Sequence, residues 1–356
     1  MHFADGQVPE EYTRYIGRKV AVVIAGTGIL VALLVVGISF GSVHIPLADV
    51  VHTVFRQSVT KRFDIIIWNI RLPQALTAVA AGAGLALAGA VMQSILRNPL
   101  GSPFTLGLSH AAAFGAAFSI MILGTGSMAS SNVGAVNISN PYLTTGLAFF
   151  FCLLNAVVII AVSRMRQATS EIMVLTGVAL GSLFTAGTMF LQYFADDMQL
   201  AAMVFWTFGD VARADWSEFW LIMAVTAVMA VFFQFNSWNY NAIDAGDETA
   251  RGLGVRVERV RILGMLGASF VTAIVVAFLG IIGFVGLVCP HMVRRVIGSD
   301  MRFLLPASMV TGGILLLASD TVARLLLAPH VLPVSVLTAF LGAPVFIVLI
   351  IRGYRR

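Results

Sequence analysis

Apolar residues run along this chain in blocks of about twenty, broken by short polar punctuation. They do not alternate at the period of two that marks half-buried strands. The first block, VAVVIAGTGILVALLVVGISF from Val20 to Phe40, follows a polar stretch ending at Lys19. A signal peptide has an apolar core of roughly 7–15 residues and a small-residue cleavage site; this block is longer and lacks a clear site, so it reads as a retained span. Further blocks lie near 71–95, 104–123, 142–163, 172–193, 217–235, 262–280, 283–297, 303–327 and 334–351. A spanning helix takes about 20 apolar residues. The pattern therefore predicts an all-α integral membrane protein with ten transmembrane helices. Residues 1–19 form a cytoplasmic N-terminal segment, 20–352 a single transmembrane unit, and 353–356 a cytoplasmic tail.

Composition agrees. Of 356 residues, 59% are hydrophobic and 11% charged, with a mean hydropathy of +0.93. Soluble domains carry roughly 25% charged residues, so an ordinary soluble protein is excluded. Arg14, Arg18 and Lys19 precede the first span and place the N-terminus in the cytoplasm. Alternating from there puts 97–103, 164–169, 237–261, 294–302 and 352–356 inside, and nearly every arginine cluster falls in that set. Arg56, Lys61 and Arg62, in the first outside loop, are the exception. Both termini are therefore expected in the cytoplasm. The net charge of +5 would by itself suggest nucleic acid. Its placement between apolar blocks reads instead as topology control, with membrane lipid as the partner and no nucleic acid.

The first outside loop carries Leu47, Val50, Val51, Val54 and Phe55 at helical spacing. They predict a short amphipathic helix, either resting in the membrane interface or offering part of a docking surface. Asp196, Asp197, Asp210 and Asp215 read as solvated loop charge. Small residues at every fourth position (Gly82, Ala86 and Ala90; Ala111, Gly115 and Ser119) predict closely crossing helices, because lipid gives no hydrophobic drive and packing must do the work.

The polar residues exclude several chemistries. The only lysines, Lys19 and Lys61, end no glycine-rich phosphate loop. Cys152 and Cys289 sit in apolar runs and read as small hydrophobes. The six histidines are scattered, none in an HExxH pattern. Asp196–Asp197 lacks the third acid of a diphosphate clamp. No metal site, catalytic residue or cofactor is expected. Ion-driven transport needs acids deep in the spans. Only Asp320 and Glu171 qualify, and Glu171 lies close to the inner surface. Asp320 and Arg324, four apart on one helical face, are expected to neutralise each other, with Arg324 also near enough to the outer end to reach a partner. Arg71, in WNIRLP, is either an interfacial anchor or a cation offered to an acidic partner, and Pro73 suits a first helical turn.

The longest inside segment, 237–261, lies in the stretch SWNYNAIDAGDETARGLGVRVERVRIL. Asp247 to Gly252 reads as a short helix with acids favoured at its N-terminus and Gly252 and Gly254 available to stop it. It is either a solvated connector or an element that docks into a groove on a soluble partner.

Four stretches resemble a known family: RLPQALTAVAAGAGLALAGAVMQSILRNPLGSPFTLGLSH (71–110), GDETARGLGV (246–255), GIIGFVGLVCPHMVRRVIGSDMRFLLPAS (280–308) and LASDTVARLLLAPHVLPVSVLTAFLGAPVFIVLIIR (317–352). They resemble the permease subunit of type II ABC importers for iron chelates and cobalamin, the FecCD-like family. The resemblance implies ten helices per subunit, a homodimer or close heterodimer with a second permease copy, two ABC ATPase subunits and an extracytoplasmic substrate-binding protein. It implies residence in the bacterial inner membrane. It makes Gly246, Asp247, Glu248, Thr249, Ala250, Arg251, Gly252, Leu253 and Gly254 the ATPase coupling segment. Arg71 and Arg324 match binding-protein docking positions, while Gln74 stands where some members have another arginine. Thr169 and Ser170 match the cytoplasmic gate. The expected cargo is a ferric siderophore, then haem or cobalamin. The rival classes are an ion-coupled secondary transporter and an enzyme acting on lipid-linked substrates.

Overall fold

The computed structural model describes residues 10–41, 43, 45–57, 60–128, 136–138, 140–165, 169–326 and 331–353. Each apolar block is a helix. α1 is Glu10–Ser39, α4 Leu72–Ile95, α5 Leu108–Ile122, α6 Pro141–Arg164, α7 Ser170–Phe194, α9 Trp216–Phe235, α12 Val257–Leu279, α13 Val285–Ile297, α14 Met301–Leu326 and α15 Val334–Gly353. Shorter helices connect them: α2 Leu47–Val54, α3 Lys61–Ile66, α8 Asp197–Thr207, α10 Ser237–Asp244 and α11 Asp247–Gly252. Two three-residue strands, β1 Gly126–Met128 and β2 Val136–Ile138, pair antiparallel between α5 and α6, a feature the hydrophobic pattern does not announce.

Among the described residues, seven helices are long and apolar enough to cross a bilayer: α1, the continuous Lys61–Ile95 helix containing α3 and α4, α6, α7, α9, α12 and α14. α5 and the Val334–Val348 part of α15 are shorter apolar helices. α13 has 13 residues and reaches only about 20 Å at 1.5 Å per residue. α12 stops at Gly280, which has φ +78°, and the chain crosses to α13 in non-helical backbone. Such backbone is tolerated at membrane depth only where protein covers it. Here the Asp210 amide donates to the Leu279 carbonyl at 2.8 Å, and Gly342 of α15 leaves room for Phe284.

α4 is the axis of the bundle. Most of its residues are alanine, glycine or leucine and almost all are buried, because α9, α12, α13 and α14 all close on it. The small-residue stripes explain how. A Cβ on Gly82 would run into the Gly312 carbonyl of α14, and one on Gly89 into the Gly286 carbonyl of α13. On α5, Gly115 meets the backbone at Leu147 and Ala148 of α6, while Ser119 and Thr144 share a hydroxyl contact of 3.1 Å. Buried polar side chains satisfy irregular backbone nearby: Asn155 donates to the Leu106 carbonyl and Gln93 to the Leu287 carbonyl, each at 3.0 Å. Cys152 and Cys289 are buried and free, as their surroundings predict. By contrast, α1 and α7 sit at the periphery and leave much of their length exposed.

Of the aspartates between α7 and α9, Asp196, Asp210 and Asp215 serve as caps, and Asp197 is exposed in the first turn of α8. Asp196 accepts from the Gln199 amide at 2.7 Å while Gln199 accepts back from the Asp196 amide. Asp215 and Glu218 form a second such box, and Asp210 caps a single 3-10 turn, Val211–Arg213. In each, a side chain satisfies an amide that the helix leaves unpaired.

Candidate functional site

Polar side chains gather at the two ends of the bundle. At one end, α10 and α11 form a small module whose inner side is apolar: Ile243, Ala250 and Val257 pack together. Gly246, at φ +122° and ψ +146°, turns the chain between the two helices in a region that side chains disfavour. The outer side presents Glu248, Thr249, Arg251, Gly252, Leu253 and Gly254 to the exterior, with Leu253 69% exposed.

This module is tied to four of the long or central helices. Arg261 of α12 is 2% exposed; its Nη2 lies 3.0 Å from both Asp247 oxygens, and its Nε donates at 2.8 Å to the Ile95 carbonyl ending α4. Ser94 of α4 donates to Asp244 at 2.9 Å and to the Tyr240 carbonyl at 3.3 Å. Arg294 of α13 faces Asp244 at 3.6 Å. Asn241 donates to Asp300 at 3.1 Å and accepts from the Met301 amide at 2.8 Å, reaching the start of α14. Asp300 also holds Arg302 at 2.7 Å and Lys19 of α1 at 3.9 Å.

The electrostatics follow from these contacts. Partial burial works to raise the Asp300 carboxyl, but hydrogen bonds from Arg302 and Asn241 overcome it and hold the group down at about 2. Burial raises Asp244 above the usual carboxylate range, with Arg294 and Ser94 opposing. Lys19 is buried between the rings of Tyr15 and Phe303, 4.2 and 5.2 Å from their centroids. The sequence shows it only as a flanking charge, since nothing local announces a partner 281 positions later, at Asp300.

The other end collects the C-terminal turns of α1 and α14 and the start of α4. Arg71 closes a π-helical turn, Ile67–Arg71. It is 4% exposed and donates to the carbonyls of Ile38 at 2.6 Å, Ser39 at 2.9 Å and Val43. Gln74 donates to Asp320 at 2.9 Å, and Arg324 pairs with the same carboxylate at 3.0 Å while donating to the Gly37 carbonyl at 3.2 Å. The expected Asp320–Arg324 neutralisation is present, and Gln74 has a defined place as the second partner of Asp320. Arg71 and Arg324 both turn inward and hold the end of α1. Nearby, α2 forms as its spacing predicts, and Trp68 donates to the Thr53 carbonyl at 3.1 Å while Trp216 donates to the Trp68 carbonyl at 2.8 Å. The segment between α1 and α4 is thus latched to α9.

Thr169 and Ser170 stand at the start of α7, on the same end as α11. Thr169 is extended and exposed and makes no side-chain cap. Among the described residues no cluster of three or more His, Cys, Asp or Glu is placed to hold a metal ion.

Comparison with known proteins gives one answer. Residues 29–352 match the model of the FecCD transport family. The "Putative ABC transporter permease protein MJ0087" of Methanocaldococcus jannaschii is 49% identical over 352 residues, covering 98% of this chain and 99% of that one. The "Vitamin B12 import system permease protein BtuC" of Klebsiella pneumoniae subsp. pneumoniae is 37% identical over 294 residues, 82% of this chain and 84% of that protein. A solved structure described as "An inward-facing conformation of a putative metal-chelate type ABC transporter" superposes with a TM-score of 0.79 at 30% identity, covering 93% of this chain and 99% of that chain.

Proposed function

The chain belongs to the FecCD transport family and is a multi-pass permease of the type II ABC importer class; from that premise we propose that it is the motor-less channel half of an ATP-driven importer for a bulky metal chelate. Two ATPase subunits engage α11 from the cytoplasm, a second permease copy completes the pathway, and a binding protein delivers cargo from outside. The observation that carries this reading is the α10–α11 module, with an exposed tip and an inner side bonded to α4, α12, α13 and α14. A push on such a tip moves packed helices together, as hinge and shear transitions require.

The charge distribution supports ten spans with both ends inside. Lys19, Arg261, Arg294 and Arg302 share the α11 end, and cations favour the cytoplasmic side. The dock for the binding protein lies at the opposite end, where Arg71 and Arg324 hold α1. Arg324 is offset by Asp320, whereas the Arg71 partners are carbonyls, so Arg71 contributes net positive potential toward an acidic partner. Thr169 and Ser170 narrow the pathway at the inner end of α7.

The cargo is a ferric siderophore in the first reading, which follows from the family resemblance alone. A cobalamin is the second reading, supported by the relatives named as vitamin B12 permeases. The test replaces Asp247 to Arg251 with a neutral linker in the assembled transporter and measures cargo-stimulated ATP hydrolysis. The reading expects stimulation to collapse while the subunits still co-purify. Full stimulation would refute it.

A further inference from the structure

A groove of about 310 Å³ runs between α1 and α13 on the flank of the bundle. Val22, Ala25 and Ile29 of α1 form one wall, Met292 and Val296 of α13 the other, and Val310 and Thr311 of α14 the floor. Thr311 gives its hydroxyl hydrogen to the Ala307 carbonyl at 2.8 Å, so it offers the groove no donor. Both walls are bare in the subunit: Ile29 is 55% exposed and Val296 56%. One residue beyond Ile29 the groove closes, where Leu30 reaches the backbone of Gly313.

The other end of the groove is charged. Positions 14, 18, 22, 25 and 29 follow the spacing of three or four that shares one helical face, so Arg14 and Arg18 continue the stripe of Val22, Ala25 and Ile29. On α13, Arg295 stands three positions after Met292 and beside Val296. Tyr15 lies against the end of α13, its hydroxyl 3.7 Å from where a Cβ on Gly298 would stand. Arg18, between Tyr15 and Val22, is therefore level with Arg295. Arg14, Arg18 and Arg295 are all exposed. Glu11 shares the α1 stripe but stands seven residues, about 10 Å, beyond Arg18. Asp300 is already held by Arg302, Asn241 and Lys19.

This combination identifies the occupant. An apolar slot alone selects nothing in a bilayer, because lipid tails are as apolar as its walls. Selection must come from the charged mouth. From Arg18 to Ile29 is about 16 Å along the helix, close to the depth of one leaflet, about 15 Å. A lipid tail lying in the groove therefore brings its own phosphate level with Arg18 and Arg295. A headgroup with net negative charge gains from these arginines, whereas a zwitterionic one also brings a cation to them.

We propose that the α1–α13 groove is a binding site for an anionic glycerophospholipid, with one tail along Val22, Ala25 and Ile29 and the phosphate between Arg18 and Arg295. The lipid joins α1, which packs chiefly on α14, to α13. Its headgroup lies one residue from Lys19, whose contact with Asp300 leads to Asn241 of α10.

The experiment uses the full chain in phosphatidylcholine vesicles, without cargo, nucleotide or partner, so its outcome is independent of the importer reading. A bimane fluorophore is attached at Val296→Cys; Cys152 and Cys289 are buried and stay unlabelled. Quenching by tail-brominated phosphatidylglycerol is compared with quenching by the same fraction of tail-brominated phosphatidylcholine. One arginine near a lipid surface is worth about fivefold in affinity for an anionic lipid, so the groove should prefer phosphatidylglycerol at least tenfold. Arg18→Gln and Arg295→Gln should each cut that preference about fivefold. Arg164→Gln, at the same end but on α6, should leave it unchanged. Ala25→Phe fills the groove with both arginines in place and should abolish the preference. Equal quenching by the two lipids would mean ordinary boundary lipid, and no quenching by either a groove covered by protein. A preference that survives the Arg18→Gln, Arg295→Gln double variant, or that falls as far in Arg164→Gln, would mean general attraction to a basic face. Any of these results, or a preference unchanged by Ala25→Phe, overturns the site.

Discussion

Removing Asp247 should damage the α11 end of the bundle more than removing Arg261, although the two form one ion pair. The Arg261 side chain is 3% exposed and Asp247 28%. Asp247→Ala leaves a guanidinium buried without its carboxylate, and stranding one partner of a buried pair costs about 3–5 kcal/mol. Arg261 keeps its bond to the Ile95 carbonyl, so the lower end of that range applies, about 3 kcal/mol. Arg261→Met removes the buried charge and fills most of its volume. Asp247 then turns to water, and the loss is close to one hydrogen bond at Ile95, about 1–2 kcal/mol. The double variant should resemble Arg261→Met alone, giving a coupling energy of about 3 kcal/mol in a double-mutant cycle. Unfolding of the purified protein in detergent reads the cycle. The ratio of cargo moved to ATP hydrolysed, in the assembled transporter, reads whether the joint transmits force. Additive single effects, or Asp247→Ala no worse than Arg261→Met, would refute the reasoning.

Other expectations follow from the same contacts. Gly82→Leu or Gly312→Leu forces α4 away from α14 and should cost at least the 1–3 kcal/mol typical of overpacking, seen as a lower Tm. Asp300 has its folded pKa depressed to about 2 from 3.8, so the stability it adds is fully present above pH 3.8 and is lost only as pH falls through about 2; Tm should be insensitive to this group between pH 5 and 8, whereas Asp300→Asn should lower Tm throughout that range. Arg71→Glu and Arg324→Glu should each impair delivery from the binding protein, with partial rescue by charge reversal on that protein; unchanged uptake in both would remove the docking role. Leu253→Cys, at the exposed tip after α11, should react with a membrane-impermeant maleimide only from the cytoplasmic side and be shielded when the ATPase subunits are bound.

Helix positions were legible because hydrophobic block length is a local property. α6, α7, α9 and α14 each begin and end within about two residues of the expected bounds. α1 runs ten residues earlier than its apolar block, because Glu10 to Lys19 is helical and Lys19 finds Asp300 and two aromatic rings. α4 starts at Leu72 with Pro73 in its first turn as expected, but helix already begins at Lys61 and runs into it through a π-helical turn. The capping boxes at Asp196 and Asp215 carried a readable signal, an acid followed three positions later by Gln or Glu. The inward turn of Arg71, and the role of Gln74 beneath Asp320, had none. Gln74 and Asp320 are 246 positions apart, and only packing α4 against α14 brings them together. α11 was visible as a short acidic helix, but the anchors of the α10–α11 module on Ser94, Arg261 and Arg294 are likewise long-range.

The central claim is that this chain moves nothing by itself. Reconstituted alone in vesicles with proton and sodium gradients imposed, and given binding protein with cyanocobalamin or a ferric hydroxamate, it should accumulate neither chelate. Adding the ATPase subunits and ATP should start accumulation. Uphill uptake by the isolated chain would contradict the account.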